Sequence, residues 1–119
     1  MYLKFHCPLE LAQVARLLAP DAAEEHFETV LVGREEQMHF SVPEAPCGLT
    51  AVRAPSDASS VIIFGRDPAT GDELGVLPDW LAQYVADELL TTVHVYTERF
   101  QRDRPESEPA EIVRPHLLA

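Results

Sequence analysis

Apolar residues recur along this chain in two rhythms, and each change of rhythm marks an element. Between Leu77 and Leu89 the positions Trp80, Leu81, Tyr84, Val85 and Leu89 fall three or four apart, the spacing that lines up one stripe of an α-helix. Pro78 suits the first helical position, whose N–H has no intrahelical partner, and Asp79 suits the positive end of the helix dipole. At Thr92 the rhythm becomes alternation. Val93 and Val95 stand against Thr92, His94 and Tyr96, which predicts a half-buried strand joined to the helix by almost no loop. A second helical stripe, Leu11, Val14, Ala15 and Leu18, lies between Pro8 and Pro20. The first proline is expected to open that helix, with Cys7 at its N-cap, and the second to stop it.

The remaining segments alternate or run solidly apolar. Residues 1–6 read as a first strand. Phe27–Val32 and Gln37–Val42 predict a hairpin around Gly33, Arg34, Glu35 and Glu36, with Met38, Phe40 and Val42 buried and Gln37, His39 and Ser41 on the wet face. Leu49–Arg53 suggests a short strand, followed by a loop over 54–59. Val61–Phe64 is unbroken apolar sequence, the mark of a central strand covered on both faces, and the turn-forming residues Gly65–Glu73 close a hairpin onto Leu74–Leu77. The resulting order is β-α-β-β-(β)-β-(β)-α-β. It predicts an α+β fold, a mostly antiparallel sheet of about four to six strands with two helices packed on one face. Trp80 and Val85 are expected in the core against Val61–Phe64. Residues 1–100 form the single expected domain. Residues 101–119 read as a charged, proline-containing tail: 101–109 lack apolar anchors, and Ile112, Val113, Leu117 and Leu118 make an apolar patch after them.

Charge changes the picture more than composition does. The chain has 119 residues and a formal net charge of −11, and the acids are unevenly spread. Asp21, Glu24, Glu25, Glu28, Glu35, Glu36 and Glu44 face only Arg34 between residues 21 and 45. No basic stripe is present, so direct nucleic-acid binding is not expected. An acidic field favours encounter with a basic protein partner. No apolar run approaches the ~18 residues of a membrane span, and the first residues lack the apolar core of a secretory leader. With two cysteines the chain has no disulfide framework, and a reduced, cytoplasmic setting is the default.

Candidate chemistry is sparse. A thiol at a helix N-cap has a lowered pKa, which makes Cys7 the best nucleophile, but the adjacent His6 faces the other way on a strand. His6, Cys7, His26, His39, Cys47 and His94 show none of the close ligand pairs that metal sites use, and no cofactor motif occurs. His39 and His94 sit on polar sides of strands. The leading expectation is therefore a small acidic protein-binding module, of the physical type of an inhibitor or immunity protein that masks a basic partner. Glu24, Glu25, Glu28, Glu35 and Glu36 form its expected binding surface, and Trp80, Tyr84 and Tyr96 a secondary one, since aromatic residues concentrate at interface hot spots. The alternatives are an accessory or scaffolding subunit, and a small enzyme or ligand-binding domain whose site is composed only in space. Self-association is compatible with all three.

Overall fold

In the computed structural model, which describes residues 1–23, 26–42, 45, 47–55, 57–103 and 107–116, ten elements follow in chain order. They are β1 (Tyr2–His6), α1 (Leu11–Leu18), β2 (Glu28–Val32), β3 (Glu35–Phe40), β4 (Gly48–Ala54), β5 (Asp57–Arg66), β6 (Glu73–Leu74), α2 (Leu81–Leu89), β7 (Val93–Tyr96) and β8 (Glu111–Val113). All strand pairs are antiparallel. The sheet has eight strands in the order β2-β3-β4-β5-β1-β7-β8, with β6 added beside β5. The α+β class is as expected. The strand count is higher, because Glu111–Val113, read from sequence only as part of a patch, pairs with β7 as a further strand.

The unbroken run Val61–Phe64 lies in the middle of the sheet, between β4 and β1, and its strand is longer than the apolar run. The expected loop at 54–59 shrinks because the Asp57 carboxylate accepts hydrogen bonds from the Ser59 amide (3.0 Å), Ser59 Oγ (2.6 Å) and Ser60 Oγ (2.8 Å). These bonds, the Ser59 hydroxyl foremost, hold its carboxyl down at about 2. The hairpin turn is likewise tighter than expected. Gly33 and Arg34 alone make it, Gly33 at a φ of 64°, the positive value that primed two-residue turns need. Glu35 and Glu36 consequently belong to β3 and not to the tip.

Both helices pack on one face. Leu11, Val14 and Leu18 of α1 and Leu81 and Val85 of α2 join Leu3, Phe5, Phe40, Leu49, Val61, Ile63 and Val93 from the sheet in one core. Each helix starts later than its proline suggests. Glu10, not Cys7, is the N-cap of α1, its amide donating to Gln13 Oε1 at 3.0 Å. Trp80 is the N-cap of α2. That late start overturns the expectation that Trp80 is core: it precedes the buried stripe, remains 41% exposed and leans edge-on against Tyr84. Val85 is fully buried in the core that also holds Val61 and Ile63. Leu90 ends α2 in the left-handed region, φ 50° and ψ 48°, which turns the chain toward β7 within a few residues.

Alternation sends the other side chains of the same strands to the opposite face. There Tyr2, Val52, Ala54, Ile62, Phe64, Tyr96 and Phe100 form a second, smaller apolar cluster. Tyr2 stacks on Tyr96 with centroids 4.6 Å apart, and Phe100 meets Tyr2 edge-on (5.4 Å) and stacks on Phe64 (5.8 Å). The segment after β7 therefore takes the place of a helix on this face, but only over part of it. Toward β2 the described residues leave the face uncovered. No helix among the described residues is long and apolar enough to cross a membrane.

Candidate functional site

The uncovered end of the sheet is the β2–β3 hairpin. It ends the sheet on that side, so the outer edge of β2 pairs with no strand among the described residues. The register sets Glu28 opposite His39, Thr29 opposite Met38, Val30 opposite Gln37, Leu31 opposite Glu36 and Val32 opposite Glu35. Leu31 is 71% exposed and Val32 55% exposed. Because the side-chain period of a strand is two, Leu31 projects on the helix side and Val32 on the other. This edge carries no lysine, proline or bulge of the kind that protects an edge from pairing.

A cleft of about 440 Å³ opens beside the hairpin on the face away from the helices. Thr50 and Phe64, both buried, lie in its lining with Gln37, His39, Arg66 and Arg102. A chain of hydrogen bonds runs along one wall. Arg102 donates to Glu35 from Nε (2.5 Å) and Nη2 (2.6 Å), Gln37 Nε2 donates to Glu35 (2.9 Å), and Gln37 Oε1 lies 3.1 Å from His39 Nε2. Since the Gln37 amide nitrogen is committed to Glu35, its oxygen must accept, and His39 carries its proton on Nε2. Nδ1 of the neutral ring is then an acceptor. Burial pushes the His39 pKa down, the nearby Arg66 charge pushes it further, and Glu28 opposes both. Burial alone would raise the Glu35 pKa, but the Arg102 and Gln37 hydrogen bonds and the Arg102 charge outweigh it and hold the carboxyl below its ordinary value. The Arg102 guanidinium also lies 4.9 Å from the Phe100 ring centroid and 5.8 Å from that of Phe64, so it joins the covered and uncovered parts of the face.

On the helix side a cleft of about 560 Å³ separates the N-terminus of α1 from the hairpin, with Glu10, Arg34, Glu36 and Arg53 around it. Arg53 is occupied: it donates to the carbonyls of Cys7 (2.6 Å) and Leu9, tying β4 to the start of α1.

The residues expected from sequence to bind a partner are thus dispersed. Glu24 and Glu25 lie outside the described residues. Glu28 and Glu36 are exposed, on opposite sides of the hairpin, while Glu35 is held by Arg102. Tyr84 is half-buried, its hydroxyl donating to the Leu18 carbonyl. Tyr96 is buried against Tyr2, which makes it a core residue of the second face. Cys7 and Cys47 are buried free thiols, and burial raises the Cys47 pKa against the opposing effect of Arg66. His94 sits half-buried in β7, in register with Lys4 and Ile112. No group of three or more His, Cys, Asp or Glu side chains among the described residues could hold a metal ion. Arg66, Arg102 and Thr50 were not foreseen. Arg66 looks like a turn residue and Arg102 falls in a stretch without periodicity, so only the sheet register brings them to Gln37 and His39. Comparison of the chain with protein-family models, with curated proteins and with solved structures finds no match in any of the three.

Proposed function

We propose that this chain is a small protein-binding module that takes an extended, basic segment of a partner as an added strand along β2. The observation behind this reading is the open edge of β2, with Leu31 and Val32 exposed beside it. Strand addition draws affinity from main-chain hydrogen bonds and specificity from alternate side chains. A segment laid along β2 meets Thr29 and Leu31 on one side, with Glu36 one strand further in, and Glu28, Val30 and Val32 on the other. Apolar residues flanked by acids suit a strand that alternates apolar and basic residues. A second copy of this chain fits less well, since each copy brings a net charge of −11 and like charges oppose association. Covering a basic segment in this way is how an inhibitor or immunity-type protein would mask its target.

The test is a titration of ¹⁵N-labelled protein with the peptide Lys-Val-Lys-Val-Lys-Val, followed by amide shifts. Saturable shifts confined to residues 28–40 are expected, weakening as salt is raised from about 0.05 M to 0.5 M. Leu31→Lys should abolish them. Equal binding of Glu-Val-Glu-Val-Glu-Val, or shifts centred on Trp80 and Tyr84, would overturn the reading.

A further inference from the structure

The cleft on the second face holds a guanidinium, that of Arg66, which makes no ion pair among the described residues. Among the described residues Arg102 is paired with Glu35 and Arg99 with Glu73, whereas Arg66 has no carboxylate partner and its Nε is buried without a hydrogen-bond partner. In a chain with 20 acids and 9 bases, an arginine left in this state is unusual. Buried donors are nearly always satisfied, and an exception calls for a bound group or a functional role. The side chain, opposite Glu73 in the ladder, is also packed against the strand on its other side. A Cβ placed on Gly48 would come within 2.7 Å of Arg66 Nη2 and 3.0 Å of Cζ, so the guanidinium rests directly on the backbone of the neighbouring strand. It lines the cleft together with Thr50, His39 and Phe64, and with Glu35 and Glu73, the carboxylates already paired with Arg102 and Arg99.

We infer that this cleft binds a small organic anion, its carboxylate or phosphate group on Arg66 and its apolar body against Phe64. A guanidinium offers a planar fork of donors that matches either oxyanion. The Thr50 hydroxyl is a further donor in the lining, and the cleft volume of about 440 Å³ falls in the range of small-molecule sites. Arg102 is already paired with Glu35, which leaves Arg66 as the cation of the cleft without an ion pair among the described residues. This site is separate from the outer edge of β2, and its test uses no peptide.

The experiment is titration of ¹⁵N-labelled protein with three probes at constant ionic strength: inorganic phosphate, benzoate and, as the cationic control, benzylamine. Saturable shifts at Thr50, Phe64 and Arg66, including the Arg66 Nε–H resonance, are expected with phosphate, benzoate or both. Phosphate alone would assign the headgroup as phosphate, and benzoate alone as carboxylate. Arg66→Gln should weaken binding by at least about tenfold, the loss expected for a hydrogen bond to a charged group, with circular dichroism confirming that the variant is folded. The map of shifts on the unaltered protein decides the question even if that variant does not fold. The inference is overturned if neither anion binds with a dissociation constant below about 10 mM, a free energy of roughly −3 kcal/mol. It is equally overturned if benzylamine binds as well as the anions, if the shifts lie outside the cleft, or if folded Arg66→Gln binds unchanged.

Discussion

The two ends of the sheet are built from similar strands but are finished differently. Around β1 and β7 both faces are covered, by α2 on one side and by Phe100 with the segment around it on the other. Around β2 only the inward side chains of β3 reach the core, and β2 itself has no buried residue. The covered end gains its stability from apolar burial. The hairpin end is held by its ladder and, among the described residues, by the Arg102–Glu35 ion pair across the face, and it carries two clefts and an open strand edge. The far end also finishes in an edge strand, β8, beside a smaller cleft. Apolar burial is thus concentrated at one end of the sheet, while both proposed binding surfaces lie toward the other.

Mutations can break this division, and the largest effect is expected at the covered end. Phe100→Ala removes the ring that packs on Tyr2 and Phe64, and should cost about 3–5 kcal/mol, the usual range for a buried aromatic. A urea denaturation midpoint measures it. A loss near that of an exposed site would mean that the second face needs no cover. Arg102→Met cuts the link between the ends while keeping an apolar stem. Its side chain is 41% exposed, so solvent screening limits the expected loss to about 1 kcal/mol. The distinguishing readout is His39, whose ring resonances should shift because Glu35 and Gln37 lose their anchor.

At the hairpin, Leu31→Lys should change stability by no more than about 0.5 kcal/mol while abolishing binding of the lysine–valine peptide. A large loss of stability would show that the edge is structural. The mildest probe is pH. The folded protein holds the His39 pKa below its ordinary 6.5, through burial first and the Arg66 charge second. The neutral ring is therefore favoured in the folded state, its contribution is complete above that ordinary value, and it is lost as pH falls through and below it. Denaturation midpoints between about pH 8 and 5 should decline less steeply in His39→Gln than in the unaltered protein. An equal slope would place the pH response elsewhere.

The information carried by the residue pattern is local. The two helical stripes, the alternation of Met38, Phe40 and Val42, and the apolar run at Val61–Phe64 report which side of each element avoids water, and burial follows that pattern in the structure. Periodicity cannot say where a helix begins when two turn residues precede it, and Trp80 was misplaced for that reason. It also cannot see a strand as short as Glu111–Val113, which exists because β7 offers an unpaired edge to it. The candidate sites were decided by tertiary structure alone. Glu35 and Arg102, 67 positions apart, meet because the chain after β7 folds back over the sheet. Arg66 reaches the side of His39 only through the antiparallel register of β3, β4 and β5. Charges act through space, so an acidic stretch read along the chain gives the sign of the field, while the fold chooses which carboxylates are consumed internally and which face outward.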